Sequence, residues 1–318
     1  DVSRLHQKGM KILLVSSGAI SHGVRVLKLP TRPQSIPLKQ TCASIGQIQL
    51  MHQYEKLFSQ KNIAIGQVLL TWDDLRNKTR YFNLRNTLFE LLERKCIPII
   101  NENDSVGIEE IQFGDNDTLG AQIAILSSAD LFVNLTDING LYDSNPRFNK
   151  KASHIPLVKK VNNSHHDQAD NRGNTMGVGG MKTKILAAEM ITKSGAFALI
   201  GDGYHHRLLD VLKNEDYATL FMPSTHRMPS RRRWLAFTGR VSGKIYIDQG
   251  AFDALTGKGK SLLAAGIIQT EGTFKPGEPV KICYLQKVVA HGLVNYSSDD
   301  INKIKRKKTN EIAAIIGN

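Results

Sequence analysis

The sequence predicts an α/β protein: a three-layer αβα sandwich with a mainly parallel sheet, followed by a small C-terminal β-barrel. Two observations carry this prediction. Up to about residue 222, apolar strand-sized runs alternate with segments of helical spacing, which is typical of a parallel sheet covered on both faces. Beyond residue 231, short alternating segments separated by Gly, Pro and Asp take over, the pattern of a small barrel or sandwich.

The first domain, residues 1–222, begins inside a helical segment. Its strands are short runs rich in apolar residues, and its helices are longer segments with apolar residues three and four apart. Strands are expected over 11–16, 63–70, 97–101, 131–136 and 196–201, and helices over 38–60, 81–95, 118–128 and 181–194. Ligands of such sheets bind beyond the carboxyl ends of the strands, so polar residues that follow each strand are the first candidates for a site.

The second domain, residues 231–318, follows a Pro- and Arg-rich stretch, "FMPSTHRMPSRRRW". Four strands are expected in it, over 243–248, 261–272, 278–285 and 288–296. No internal repeat is visible, so the two domains are predicted to be different folds rather than copies of one unit.

The composition argues against several classes of protein. No apolar run approaches the roughly 20 residues that span a bilayer. The three cysteines, Cys42, Cys96 and Cys283, are far apart, which argues against a zinc finger or a disulfide framework and predicts a cytoplasmic location. No metal site formed by the protein alone is expected. The net charge of +13 favours anionic partners such as nucleotides or nucleic acid, and a solvated face plus a linker explains it equally well.

Polar residues follow three of the predicted strands. "VSSGAI" places Ser17 and Gly18 after the first strand, where small residues let backbone N–H groups approach an anion; an ordinary tight turn is the alternative. "INENDSV" has four polar residues in succession, 101–104, which favours a site over a plain loop. "LTDING" ends a strand with Thr136 and Asp137, either as a nucleotide contact or as a strand-end turn.

The segment "FGDNDTLGAQIA" places Asp115, Asn116 and Asp117 together at the start of an apolar helical pattern. Asp and Asn accept hydrogen bonds from the free N–H groups of a helix start, and negative charge there is favoured. One such residue is enough to cap a helix. The other two therefore indicate a further role.

A glycine-rich loop, "MGVGGMKTK", leads into the helix predicted over 181–194. Free N–H groups at a helix N-terminus bind phosphate, and Lys182 and Lys184 add positive charge. The segment is not a P-loop, because Met181 separates Gly180 from Lys182. Together with the polar strand ends, this loop indicates a small-molecule kinase outside the P-loop class.

These five motifs resemble, in order and spacing, those of the glutamate 5-kinase (γ-glutamyl kinase) family, which has the amino acid kinase fold. The segment from "RRRWL" through "AHGLVNYSSDDINKI" resembles the PUA domain of many members. The resemblance covers nearly the whole chain. It implies ATP-dependent phosphorylation of the γ-carboxylate of L-glutamate, the first step of proline biosynthesis.

The resemblance also implies roles for individual residues. Those implied to bind glutamate are Ser17, Gly18, Asp104, Asp115 and Asn116. Those implied to bind ATP are Thr136, Asp137, Val178, Gly179, Gly180, Met181, Lys182, Thr183 and Lys184. The expected catalytic residues are Lys184, which neutralises charge on the transferred phosphoryl group, and Asp117 beside the substrate. The γ-carboxylate is already ionised at neutral pH, with a pKa of about 4.3, so no general base is needed.

The implied cofactors are ATP and Mg²⁺. The implied partners are proline as a feedback inhibitor, further copies of the chain in a dimer or tetramer, and a γ-glutamyl phosphate reductase that receives the unstable product. RNA is a further candidate, because PUA domains in other proteins bind it and "RRRW" and "KIKRKK" supply positive charge.

Three departures from the family pattern are expected. The sequence begins after the family's usual first strand, which carries a phosphate-binding lysine; the family's C-terminal tail beyond "EIAAIIG" is cut short; and Val178 replaces a usual threonine. The first strand would sit centrally in the sheet, so we expect the edges of its neighbours to be exposed. Two alternatives to an active kinase follow: a protein whose main function is RNA binding, and a catalytically inactive truncated copy.

Overall fold

The structure, a computed structural model, describes residues 1–107, 116–144, 146, 148–162, 165, 180–223, 241–258, 261–307 and 309–316. The chain forms two compact units, Asp1–Ser230 and Arg231–Asn318. None of the helices in the described ranges is long and apolar enough to cross a membrane.

The first unit alternates strands and helices along most of its length. Its helices are α1 (Val2–Gln7), α2 (Ala19–Val26), α3 (Ile36–Ser59), α4 (Trp72–Arg76), α5 (Lys78–Glu93), α6 (Asn116–Ser127), α7 (Met181–Ser194) and α8 (Leu208–Val211). Its strands are β1 (Leu14–Val15), β2 (Ile65–Leu70), β3 (Ile97–Glu102), β4 (Leu131–Thr136), β5 (Leu141–Tyr142), β6 (His154–Ile155), β7 (Leu157–Val158), β8 (Phe197–Asp202) and β9 (Ala218–Phe221).

The strands of this unit form two half-sheets and a small hairpin. The first half-sheet is fully parallel, in the order β1-β3-β2. The second has the order β4-β8-β9-β7, in which only the β8–β9 pair is antiparallel. The mainly parallel α/β architecture predicted from the strand–helix alternation is therefore confirmed.

Strands β1 and β4 are the facing edges of the two half-sheets. Among the described residues, β1 pairs only with β3, and β4 pairs only with β8. Helix α6 packs against both, because a methyl group at Gly120 would lie 2.9 Å from the ring of Phe132 on β4 and 4.0 Å from Val15 on β1. The strand predicted over 11–16 is thus reduced to two residues, because among the described strands it has a neighbour on one side only.

Two close backbone contacts hold helices α2 and α3 together. A methyl group at Gly46 of α3 would lie 1.8 Å from the carbonyl oxygen of Ala19, at the start of α2. One at Gly23 of α2 would lie 1.9 Å from the carbonyl oxygen of Cys42 on α3. Only glycine permits this approach, so α2 and α3 run antiparallel with their backbones in contact.

The second unit is a mixed sheet with short helices. Its elements are β10 (Gly243–Ile247), α9 (Gln249–Lys258), β11 (Ile267–Glu271), β12 (Pro279–Tyr284), β13 (Lys287–Leu293), α10 (Ser298–Ile304) and α11 (Thr309–Ile316). The described strands form one sheet in the order β11-β10-β12-β13. Its core includes Ile245, Ile282 and Phe274. The strand predicted over 261–272 begins only at Ile267, because a 3₁₀ turn, Ala264–Gly266, precedes it.

Candidate active site

The candidate site lies where the parallel strands of the first unit end. Ser16 follows β1 and donates its backbone N–H to the carbonyl of Ile100 on β3 at 2.9 Å, so β1 ends beside the last residues of β3. Thr136 and Asp202 end β4 and β8 and are paired in register. This arrangement brings the polar residues after the strands to one edge of each half-sheet, as expected for an α/β ligand site.

A buried ion pair forms the centre of the site. The Lys184 ammonium, on the first turn of α7, lies 2.9 and 3.1 Å from the two carboxylate oxygens of Asp117 on α6. The side chains are only 15% and 13% exposed. Asp117 also accepts hydrogen bonds from the Asn134 amide at 2.8 Å and from the Thr183 hydroxyl at 2.7 Å. Four contacts thus fix one carboxylate between α7 and β4, with Lys184 as its charged partner.

Space remains at the N-terminus of α7 among the residues that the structure describes. Gly180 is the N-cap residue, and none of the described heavy atoms lies within 4 Å of where its Cβ would be. The first N–H groups of the helix therefore have room to bind a phosphate, and helix polarity favours negative charge there. Lys182 is exposed on the same turn, whereas Met181 is buried in the core.

Asn116, next to Asp117 on α6, reaches the first half-sheet. Its amide donates to the carbonyl oxygen of Ser16 at 3.1 Å. Ser17 is exposed after this carbonyl, and Gly18 is the N-cap of α2 with a φ of 104°, a left-handed conformation that glycine adopts without strain. The Asn116 amide thus lies beside the turn that leads into α2.

Other residues predicted from sequence lie nearby or outside the described ranges. Asp104 is half-buried in the turn that follows β3. Thr136 donates its hydroxyl to the exposed Asp137 at 3.1 Å, and its carbonyl accepts from the Gly203 N–H at 3.0 Å. Three predicted site residues lie outside the described residues: Asp115, Val178 and Gly179.

Asp202 organises the turn beside Thr136. Its carboxylate is 5% exposed and accepts the backbone N–H groups of Tyr204 and His205 at 2.9 Å, and the His205 ring nitrogen lies 2.7 Å away. Burial acts to raise the pKa of Asp202, but these hydrogen bonds outweigh it, so the pKa lies below its ordinary value. The turn after β8 is therefore rigid at the edge where the nucleotide residues were predicted.

Sequence reasoning missed several residues of this edge. Asn134 interrupts the apolar run of β4, and this polar residue in a buried strand was a readable signal. Tyr54 contacts the Ser16 hydroxyl at 2.9 Å, and Gln47 accepts a hydrogen bond from the Asn101 amide at 2.9 Å. Tyr54 and Gln47 lie in the middle of a long helix, where no local pattern marks them.

Comparisons with known proteins agree with this geometry. Residues 1–201 match the model of the amino acid kinase family, and residues 243–316 match that of the PUA domain. The chain is 41% identical over 319 aligned positions to a glutamate 5-kinase of Syntrophotalea carbinolica, covering 100% of this chain and 86% of that one. It is 43% identical to a glutamate 5-kinase of Geobacter sulfurreducens, with the same coverage. The chain belongs to the amino acid kinase family, in its glutamate 5-kinase branch, and carries a C-terminal PUA domain.

Proposed function

We propose that this chain transfers the γ-phosphoryl group of ATP to the γ-carboxylate of L-glutamate and forms γ-glutamyl phosphate, the first step of proline biosynthesis. The observation that carries the proposal is the Asp117–Lys184 pair, which places a fixed ammonium on the first turn of α7. The full-length similarity to glutamate 5-kinases supports the choice of substrate.

The residues present fit the phosphates of ATP. The open start of α7, with Gly180 at its N-cap and Lys182 and Lys184 on its first turn, supplies N–H groups and positive charge. No group of three or more His, Cys, Asp or Glu that could hold a metal occurs in the part of the chain that the structure describes. Mg²⁺ is therefore expected to arrive on the phosphates of the nucleotide, as this ion commonly does.

The substrate needs positioning rather than deprotonation. Its γ-carboxylate is ionised at neutral pH, since its pKa is about 4.3. The Asn116 amide and the N–H groups after Gly18 can hold a carboxylate of glutamate without repelling it. The carboxylate of Asp104 can pair with the ammonium group of glutamate.

Lys184 acts on the charge that develops during transfer. When bound, ATP with Mg²⁺ supplies the phosphoryl group; a γ-carboxylate oxygen forms the new bond to phosphorus as the bond to the ADP oxygen breaks. Asp117 holds the Lys184 ammonium in place, with Thr183 and Asn134 fixing the carboxylate. Such a preorganised cation stabilises the spreading negative charge of the transferred group.

A hydroxylamine trap tests this function directly. γ-Glutamyl phosphate reacts with hydroxylamine to a hydroxamate, so the chain with ATP, Mg²⁺ and glutamate should give glutamyl hydroxamate and ADP in equal amounts. Aspartate in place of glutamate should give little hydroxamate. If the folded chain forms no hydroxamate, the kinase proposal fails; salt-sensitive RNA binding in the same preparation would then favour the RNA-binding alternative.

The proposal extends to inhibition by proline. Proline carries an ammonium group and a carboxylate on its α-carbon, as glutamate does. If these groups recognise glutamate, proline should compete with it. Millimolar proline should raise the KM for glutamate and leave the KM for ATP unchanged. Unchanged turnover at that concentration would contradict this extension.

Two partners complete the proposal. The chain is expected to form a dimer or tetramer, which light scattering coupled to size-exclusion chromatography measures. Because an acyl phosphate hydrolyses readily, hand-off to a γ-glutamyl phosphate reductase is expected, and channelling assays with that enzyme test it. RNA binding by the second unit stays a prediction.

A further inference from the structure

A buried amide pair lies beside the candidate site. Gln47 on α3 exposes 9% of its surface and Asn101 on β3 exposes 3%. The Asn101 amide nitrogen donates to the Gln47 oxygen at 2.9 Å. The Gln47 nitrogen, Nε2, is fully buried and has no hydrogen-bond partner among the described residues. A buried donor of this kind destabilises the protein unless another group accepts a hydrogen bond from it.

The packing of α2 and α3 places Gln47 beside the turn that carries Ser17 and Gly18. Gly46, immediately before Gln47, touches the carbonyl of Ala19 at the start of α2. Asn101 follows Ile100, whose carbonyl accepts the Ser16 N–H at 2.9 Å. Gln47 and Asn101 therefore lie at the carboxyl edge of the first half-sheet, next to the turn that carries Ser17 and Gly18.

The position separates Gln47 from the reacting group. A series of contacts runs along this edge from Asn101. Next to it, the carbonyl oxygen of Ser16 accepts a hydrogen bond from Asn116 on α6. The neighbouring Asp117 then pairs with Lys184. Gln47 and Asn101 lie on α3 and β3, whereas Lys184 lies on α7 and is linked to β4 through Asp117, so the two are separated along this edge by β1 and the start of α6. A substrate whose γ-carboxylate approaches Lys184 thus presents its other end to the amide pair.

We propose that Gln47 recognises the α-carboxylate of the amino acid substrate, with Nε2 as the donor; this rests on the proposed function. An amide N–H suits an anionic acceptor, and it satisfies the buried donor without burying a second charge. Asn101 holds the Gln47 oxygen and so fixes which face of the amide is presented. Gln47 is in this way a specificity residue for a substrate that carries a carboxylate at both ends.

The variant Gln47→Glu tests the donor itself. Its carboxylate still accepts from Asn101, so it keeps the positioning contact, but it replaces the N–H with a negative charge. Calorimetry with the chain should show glutamate binding weakened on the order of 10- to 100-fold, the effect of losing a hydrogen bond to a charged group. Binding of 4-aminobutanoate, which lacks the α-carboxylate, should change far less, so the preference for glutamate should collapse.

Two further variants separate recognition from folding. Gln47→Met should weaken glutamate binding and lower the preference over 4-aminobutanoate. Gln122→Met, at a glutamine of α6 that is 3% exposed, removes another buried amide and should leave that preference unchanged. If Gln47→Glu binds glutamate as tightly as the native chain, or loses affinity for both ligands equally, the inference is wrong while the kinase proposal stands. If the native chain binds no glutamate, both fail.

Discussion

Replacing Lys184 with Met should abolish most of the catalytic rate while leaving glutamate binding nearly intact. The ammonium lies 2.9 and 3.1 Å from the Asp117 oxygens and is positioned before the substrate arrives. Removing one preorganised group that stabilises transition-state charge costs on the order of 100- to 1000-fold in kcat. Because this charge develops only during transfer, the KM for glutamate should change little.

The same substitution has a smaller effect on stability. Breaking a buried ion pair by removing one partner costs about 3–5 kcal/mol when the other charge is left uncompensated. Asp117 keeps hydrogen bonds from Asn134 and Thr183 and is 13% exposed, so we expect a loss of about 1–3 kcal/mol in the free energy of unfolding. Adding Asp117→Asn should recover stability, since no unpaired charge then remains, but not activity.

Hydroxamate formation and urea unfolding measure the two effects separately. Lys193→Met is the matched control on the same helix, because Lys193 pairs with Glu189 at 2.6 Å but its side chain is 57% exposed. Such surface pairs contribute less than about 1 kcal/mol, and kcat should stay as in the native chain. If Lys184→Met loses stability but keeps kcat within about threefold, Lys184 is a structural residue and the reasoning is refuted.

Three other changes are expected to act on stability. Because the pKa of Asp202 is lowered in the folded protein, its ionised carboxylate stabilises the fold at pH values above 3.8, the ordinary pKa of an aspartate. The loss of thermal stability caused by Asp202→Asn should therefore be complete at pH 7 and should become smaller as the pH falls below 3.8. Thr71→Ala removes the hydroxyl that bonds Asp74 at 2.9 Å in a capping box and should cost about 1 kcal/mol in urea unfolding. Gly46→Ala forces α3 away from α2 and should cost about 1–3 kcal/mol; an unchanged unfolding midpoint would contradict that contact.

The elements best predicted from the sequence are those whose ends are marked by particular residues next to them. Helix α7 was predicted over 181–194 and found there, because Gly180 precedes it and Gly195 ends it with a φ of 92°. Strand β4 was predicted over 131–136 with equal success, since its apolar run is bounded by polar residues at both ends. In both cases residues at or next to the ends of the segment determine where it begins and ends.

The parts that were not predicted depend on contacts distant in sequence. Strand β1 shortens to Leu14–Val15 because pairing is set by its neighbours and not by its own apolar run. From the sequence alone, Gln47 is interpreted as a polar position on the surface of a helix. In the structure, the glycine contact holds α3 against α2, and Gln47 contacts Asn101. Neither effect changes the local spacing of polar and apolar residues, so both can be recognised only in the folded half-sheet.

The adjacent residues Asn116 and Asp117 have functions that capping alone does not explain. Asn116 bonds the end of β1, in one half-sheet, while Asp117 bonds Asn134 on β4, in the other. Within the described residues, β1 and β4 share no ladder hydrogen bond, so the first turn of α6 is what connects their polar ends. The distance between Ser16, at the end predicted to bind glutamate, and Lys184 is therefore set by one helix. Under the proposed function, a shift of α6 is expected to separate the reacting groups even if every side chain were retained, so we expect the close packing at Gly120 to affect catalysis as well as the core.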